Sequence, residues 1–229
     1  MIGIIGAMES EIHLLRKELE ETVMTQRAAG MDFTGGILAA RMVVIAYSGV
    51  GKVNAAACTQ AMIDRFHPRL IINTGIAGAA REGLKIGDVV ISTDAVQHDV
   101  DVSALGYAPG CIPGTRGLVA DPYSISKALA CIRKMEPGTA VVAGRVASGD
   151  QFVAGGEARE KIMSLFTPAC IEMEGAAIAQ VASKNGIPFL IIRIMSDNAD
   201  GGAVKDYRAF EKEAADRLQK MVKEIIKEL

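Results

Sequence analysis

The sequence predicts an α/β fold: one domain, residues 1–229, with a central mixed β-sheet between helical layers in a three-layer α/β/α sandwich. Three observations predict it. Strand-like and helical runs alternate after an early β-rich stretch, with no linker or internal repeat between them, as an α/β architecture requires. Pro188 to Met195 reads PFLIIRIM, nearly all apolar, the pattern of a strand covered on both faces. Half of the 229 residues are hydrophobic and 23% are charged, and aromatics make up only 4%. That composition supplies a sizeable core and suits helices packed closely on a sheet.

Each element has its own signal. Met1 to Ala7 reads as a buried strand, and Met8 to Glu20 as a helix with Met8, Ile12, Leu15 and Leu19 on one face. Val23 to Ser48 holds three short β-rich runs punctuated by Gly30, Gly35-Gly36 and Arg41, a meander. Lys52 to Phe66 is an amphipathic helix. Arg69 to Thr74 is a strand ending at Gly75, and Gly87 to Thr93 is another. Residues 97 to 120 are irregular and rich in Gly and Pro; a loop this long in a compact domain is usually functional or tied into an interface. Asp121-Pro122 caps and starts a helix. Thr139 to Ala147 is a strand, Glu157 to Phe166 a helix, and Gly175 to Lys184 an Ala-rich helix stopped by Asn185-Gly186. In the last helix, Asp206 to Leu229, Phe210, Ala214, Leu218, Met221, Ile225 and Leu229 share one stripe.

The same residues narrow the function. A net charge of −2 argues against a nucleic-acid surface, which needs a basic patch. The basic residues of the last helix alternate with acids and read as a solvated face. Cys58, Cys111, Cys131 and Cys170 are far apart without CxxC spacing, so no metal site and a reducing compartment are expected. The opening MIGIIGAMESE has no basic leader, and no apolar run reaches membrane-spanning length. The expected setting is cytoplasmic, away from membranes.

Two strand-like runs end abruptly in acids: Cys170-Ile171-Glu172-Met173-Glu174 and Arg193-Ile194-Met195-Ser196-Asp197. A carboxylate at a strand tip suits a ligand better than a core, and in open α/β sheets ligands bind outside the carboxyl ends of the strands. Glu9 and Glu11, early in the chain, either favour the positive end of a helix or add a third carboxylate. Gly3-Ile-Ile-Gly6 lacks the glycine spacing and distant acid of a dinucleotide fingerprint. Asn73 to Ala79 and Ser148 to Val153 follow strands with small residues, which let a ligand approach the backbone. Phe152 is either a hydrophobic anchor or a ring on which a flat base stacks.

Together these strand ends resemble the purine nucleoside phosphorylase superfamily, and within it the bacterial 5′-methylthioadenosine/S-adenosylhomocysteine nucleosidases. The matching motifs are IGIIGAMESE at 2–11, SGVGKVNAA at 48–56, INTGIAGA at 72–79, GDVV at 87–90, HDVDVSALGY at 98–107, ASGDQF at 147–152, IEMEGAAIA at 171–179 and RIMSDNAD at 193–200. They span almost the whole chain in the family's order.

The resemblance implies hydrolysis of the N-glycosidic bond of methylthioadenosine and adenosylhomocysteine, through a ribosyl centre resembling an oxocarbenium ion. Asp197 matches the general acid that assists adenine departure, which requires burial to raise its carboxyl above an ordinary Asp. Glu174 matches the residue that chelates the ribose hydroxyls, and Glu11 the base that holds the attacking water. Arg193 matches a residue that positions Glu11 or the water. Phe152 matches the adenine stacker, with the Val153 backbone reading the base edge and Met173 packing on the sugar. Glu172 and Ser196 fall among the substrate-binding positions. Met8, Val50 and Tyr207 match the slot for the alkylthio group. Leu105, Tyr107 and Pro113 match residues supplied by a neighbouring subunit, so the resemblance implies a homodimer with a shared pocket. It implies no cofactor. Read from the residues alone, Glu174 could merely cap the following helix and Arg193 could pair with any nearby acid.

One departure is Ile76, where many relatives carry a hydroxyl that helps hold the catalytic acid; Asp197 must then be oriented by Ser196, a backbone group or water. Ala79 and Ala80 replace a more usual glycine. A phosphate-dependent phosphorylase is a rival that Glu11 disfavours by repelling the anion. A 6-amino-6-deoxyfutalosine hydrolase would use the same adenine and ribose contacts. A nucleoside-binding protein without catalysis would be expected to lack one of the carboxylates.

Overall fold

The computed structural model describes residues 1–197 and 203–229, with side chains described for 1–197 and 210–229. Among the described residues, ten strands form one sheet, nine of them in the order β10-β6-β8-β9-β5-β1-β4-β3-β2 with β7 paired to β6 off this path. They are β1 (Ile2–Gly6), β2 (Glu21–Ala28), β3 (Met31–Leu38), β4 (Arg41–Tyr47), β5 (Leu70–Ala79), β6 (Val89–Gln97), β7 (Leu118–Val119), β8 (Val141–Ser148), β9 (Cys170–Glu172) and β10 (Phe189–Asp197). The sheet is mixed, as expected: β1 runs parallel to β4 and β5, while β2, β3 and β4 form the antiparallel meander.

Among the described residues, six helices flank it: α1 (His13–Lys17), α2 (Lys52–Phe66), α3 (Pro122–Met135), α4 (Gly156–Phe166), α5 (Gly175–Lys184) and α6 (Ala203–Glu228). Strand alternation sorts the core. Ile2, Ile4, Leu190, Ile192 and Ile194 face a layer made by α1, α3 and α6. Ile5, Ile191 and Met195 face α2 and α5. The apolar stripe of α6 buries Ala214, Leu218, Met221 and Ile225 on the first of these faces. α3 starts as its sequence predicts, with the Asp121 carboxylate accepting from the Ser124 N–H (2.8 Å) and Pro122 in the first turn.

Three features depart from the sequence reading. Residues 8–20 do not form one helix: a 3-10 turn at Glu9–Glu11 is followed by Ile12, at φ −133° and ψ −8°, and then by the five-residue α1. The break follows from Glu11, whose side chain turns back onto the N–H groups of Ala7 and Met8. β5 does not stop at Thr74 but runs through Gly75 to Ala79. The 97–120 stretch contains a 3-10 turn at Ser103–Leu105 and β7, which pairs with β6.

The extension of β5 has a consequence for the sheet. β5 pairs with β10 as well as β9, so β5, β10, β6, β8 and β9 close into a ring of five strands. That closure draws the carboxyl ends of β5, β8, β9 and β10 around one opening, beside the end of β1.

Candidate active site

That opening is a cavity of about 360 Å³. Glu11 reaches it from the turn after β1. Its Oε2 accepts from the N–H groups of Ala7 (2.7 Å) and Met8 (3.1 Å), and its Oε1 from Ile76 (3.0 Å). Gly75 must be a glycine here, because a Cβ would run into the Glu11 carboxylate. Burial pushes the Glu11 carboxyl up; the charge of Arg193 and the three N–H groups oppose that without cancelling it.

At the other wall, β9 ends at Glu172 and α5 begins. Glu172 Oε1 takes a short hydrogen bond from Ser148 Oγ, and Oε2 pairs with Arg193. The same carboxylate accepts from the N–H groups of Glu174 and Gly175, while Ser148 Oγ accepts from Ala176 (2.7 Å). Glu172 and Ser148 therefore cap α5, and the donors that the helix start leaves unsatisfied are met by side chains. Glu174, released from capping, accepts from the Gly51 N–H (2.7 Å). Burial, then the charge of Glu172, pushes its carboxyl up to about 8.

Arg193 lies behind the wall, 2% exposed. Its Nη2 bridges Glu172 and Asn73 Oδ1 (2.5 Å), and Asn73 donates to the Ile5 carbonyl (2.8 Å). Burial works against its charge, but Glu172, Glu11 and Glu174 more than offset this. A buried pair of this kind relies on further hydrogen bonds to its partners; Asn73 supplies one to Arg193 and Ser148 one to Glu172, while Arg193 Nε is buried without a partner among the described residues.

Asp197 ends β10, 3% exposed, with Ser196 Oγ donating to its Oδ2 (2.9 Å). Ser196 Oγ can donate to this carboxylate, which the Ile76 side chain cannot. Ile76 itself lines the cavity with Met8 and Val50. Phe152, Val153 and Met173 complete the apolar wall.

The structure brings together Glu11, Glu174, Asp197, Glu172, Ser196, Met8, Val50, Ile76, Phe152, Val153 and Met173. Arg193 touches this set through Glu172. Leu105, Tyr107 and Pro113 do not line the cavity of their own chain, and Leu105 is 74% exposed. The Tyr207 side chain lies outside the described residues. Sequence reasoning placed Asn73, Gly75 and Ser148 in segments that a ligand could approach, and Gly51 in a family motif, but gave none of the four its partner. The signal for them was available only in part: each sits where a strand or turn meets a helix, but what each touches comes from distant segments.

Comparison with known proteins shows the family to which the chain belongs. The model of the phosphorylase superfamily matches residues 1–227. The chain belongs to that superfamily. A 5′-methylthioadenosine/S-adenosylhomocysteine nucleosidase from an Exiguobacterium species is 42% identical, over all of this chain and 98% of the relative. The crystal structure of the Neisseria meningitidis nucleosidase of the same description, in complex with methylthio-immucillin-A, superposes with a TM-score of 0.95 at 43% identity; the match covers 100% of this chain and 99% of that one. A futalosine hydrolase from Helicobacter pylori superposes at 0.94 with 33% identity, covering 100% of this chain and 97% of the other.

Proposed function

We propose that the protein hydrolyses the N-glycosidic bond of 5′-methylthioadenosine and S-adenosylhomocysteine, releasing adenine and the thioribose product. One observation carries the choice of reaction. Among the described residues that line the cavity, four are carboxylates (Glu11, Glu172, Glu174 and Asp197) and none is cationic. Phosphate, an anion, needs cationic or N–H donors facing it, and the Arg193 guanidinium is turned away into Glu172. The wall suits a neutral nucleophile and a sugar that becomes positive as its bond breaks, the charge pattern of glycoside hydrolysis.

In this reading Asp197 gives a proton to the departing adenine. Glu174 meets the ribose hydroxyls; with its carboxyl raised to about 8 it can donate to one oxygen while accepting from another. Glu11 orients water, its own carboxylate fixed by three N–H groups so that little rearrangement accompanies the reaction. Phe152, half exposed, stacks on the base. Glu172, with both oxygens already engaged, serves by holding Glu174. Leu105, Tyr107 and Pro113 supply the alkylthio slot of a second copy, which makes the working unit a homodimer. The similarity to futalosine hydrolase supports aminofutalosine as a second substrate, since its adenine and ribose need the same contacts.

The test is chromatographic detection of adenine from methylthioadenosine, with and without phosphate. Equal release of adenine and free methylthioribose in both buffers is expected. Release that requires phosphate and yields a sugar 1-phosphate overturns the role of Glu11.

A further inference from the structure

Outside the cavity, three segments far apart in the chain meet in a closed ring of hydrogen bonds. Lys52 Nζ donates to Asp99 Oδ1 (2.5 Å) and to Gln97 Oε1 (3.0 Å). Asp99 Oδ2 accepts from the Asp150 N–H (2.9 Å), and Asp150 Oδ1 accepts from the Lys52 N–H (2.8 Å). Gln97 extends the ring to α5 through Gln180 (2.7 Å). Neither Lys52 nor Asp99 lines the cavity.

Two site elements leave directly from this ring. Gly51, one residue before Lys52, presents the N–H that Glu174 accepts. Its φ of +95° favours glycine, and a Cβ there would sit 3.1 Å from Asp150 Oδ1, so the Asp150 carboxylate packs against this turn. On the other side, Asp150 begins the run Gln151-Phe152-Val153 that forms the apolar wall. We propose that Lys52 and Asp99 are positioning residues: their ion pair fixes the Gly51 N–H against Glu174 and the start of the Phe152 loop against the cavity. The proposal rests on Glu174 meeting the sugar hydroxyls, as in the reading above.

The chemistry favours this over a merely stabilising pair. A Lys–Asp contact at a surface contributes little to folding. This one also carries both ends of a backbone connection, because Asp99 accepts from Lys52 and from a main-chain N–H at once. Removing the carboxylate frees the Asp150 N–H and leaves Lys52 Nζ with Gln97 in place of its ion pair, and a displacement of about 1 Å at a reacting group can cost ~10²-fold in rate.

The experiment compares Asp99→Ala and Asp99→Asn with wild type by amide hydrogen exchange and by kinetics on methylthioadenosine and its 2′-deoxy analogue. Asp99→Ala is expected to exchange about tenfold faster at both Gly51 and Asp150, as loss of one hydrogen bond implies, with other strands unchanged. Its preference for the ribonucleoside over the deoxy analogue is expected to fall by a similar factor. Asp99→Asn, which keeps an acceptor for the Asp150 N–H, is expected to recover most of both. Faster exchange at Asp150 with Gly51 unchanged, or an unchanged preference between the two nucleosides, overturns the proposal. Absence of adenine release by wild type would instead refute the proposed reaction, and exchange at Gly51 and Asp150 would still decide whether the ring holds them.

Discussion

Glu11, Glu172 and Glu174 at the floor of the cavity, with Arg193 behind them, are between 2% and 7% exposed, and each is held by hydrogen bonds. Val50 and Phe152 at its mouth are half exposed, and Leu105 and Tyr107 on the segment after β6 are 74% and 43% exposed. The floor is fixed by the chain itself: strand ends, backbone N–H groups and one buried ion pair leave its carboxylates little freedom. The mouth consists of apolar side chains with space beside them. On the proposed reading, a single chain completes the charge pattern that the chemistry needs, whereas selection of the substrate's 5′ end would draw on surfaces still open. Changes at the floor should act on turnover, and changes at the mouth on apparent affinity.

The largest test of that division is Asp197→Asn. It keeps the shape of the β10 tip but removes the acid, and turnover on methylthioadenosine is expected to fall by more than ~10², within the range of general acid catalysis. Activity within tenfold of wild type would remove Asp197 from the role. Next is Gly75→Ala, whose Cβ displaces the Glu11 carboxylate from its three donors. Turnover is expected to fall by about 10- to 100-fold with the Michaelis constant little changed; a variant with normal turnover would show that the exact position of Glu11 does not matter.

Ser148→Ala tests the support beneath the floor. It strands the Ala176 N–H and removes one donor from Glu172, so denaturant unfolding should report a loss of about 1–3 kcal/mol. A smaller and sharper effect comes from Glu174. Its folded carboxyl lies near 8, against 4.5 for the ordinary value, because of burial and Glu172. Between those two values the folded protein keeps a proton that the unfolded chain has released, so this group's stabilisation is full below 4.5 and is lost as pH rises toward 8. Glu174→Gln does not titrate. Its stability relative to wild type should improve steadily from pH 5 to pH 8, and a difference independent of pH would place the Glu174 carboxyl in its ordinary range.

Much of the floor was legible in the sequence, and the reason is specific. An apolar strand that ends in Ser196-Asp197 or in Glu172-Met173-Glu174 can hardly bury those acids without a purpose, and α/β sheets put ligands at such ends. The order of elements was legible for the same reason, since strand and helix periods differ. Long-range pairing was hidden. Gly75 reads as the end of a strand, yet β5 runs through it because Glu11, sixty-four residues earlier, needs the space. Residues 8–20 show helical spacing, but the helix yields to the hydrogen bonds of Glu11. Asn73 and Ser148 open segments that a ligand could approach, but their tasks are invisible until Arg193 and Glu172 are placed beside them.

The mouth offers the remaining test. Tyr107 follows the Ser103–Leu105 turn and lines no part of its own chain's cavity, so a monomer gives it no reason to affect catalysis. If a second copy brings it to the alkylthio slot, Tyr107→Ala removes an apolar wall from the partner's site. The Michaelis constant for adenosylhomocysteine is then expected to rise several-fold, about the effect of losing 1 kcal/mol of apolar contact, while turnover stays near wild type. Mixing Tyr107→Ala subunits with Asp197→Asn subunits sharpens this. In a mixed dimer, the site with an intact Asp197 receives its Tyr107 from the other subunit, so wild-type affinity should reappear in a fraction of the sites. Failure to recover it, or a fully active monomer on sedimentation, would mean that the mouth is complete within one chain and that its exposed apolar side chains serve another purpose.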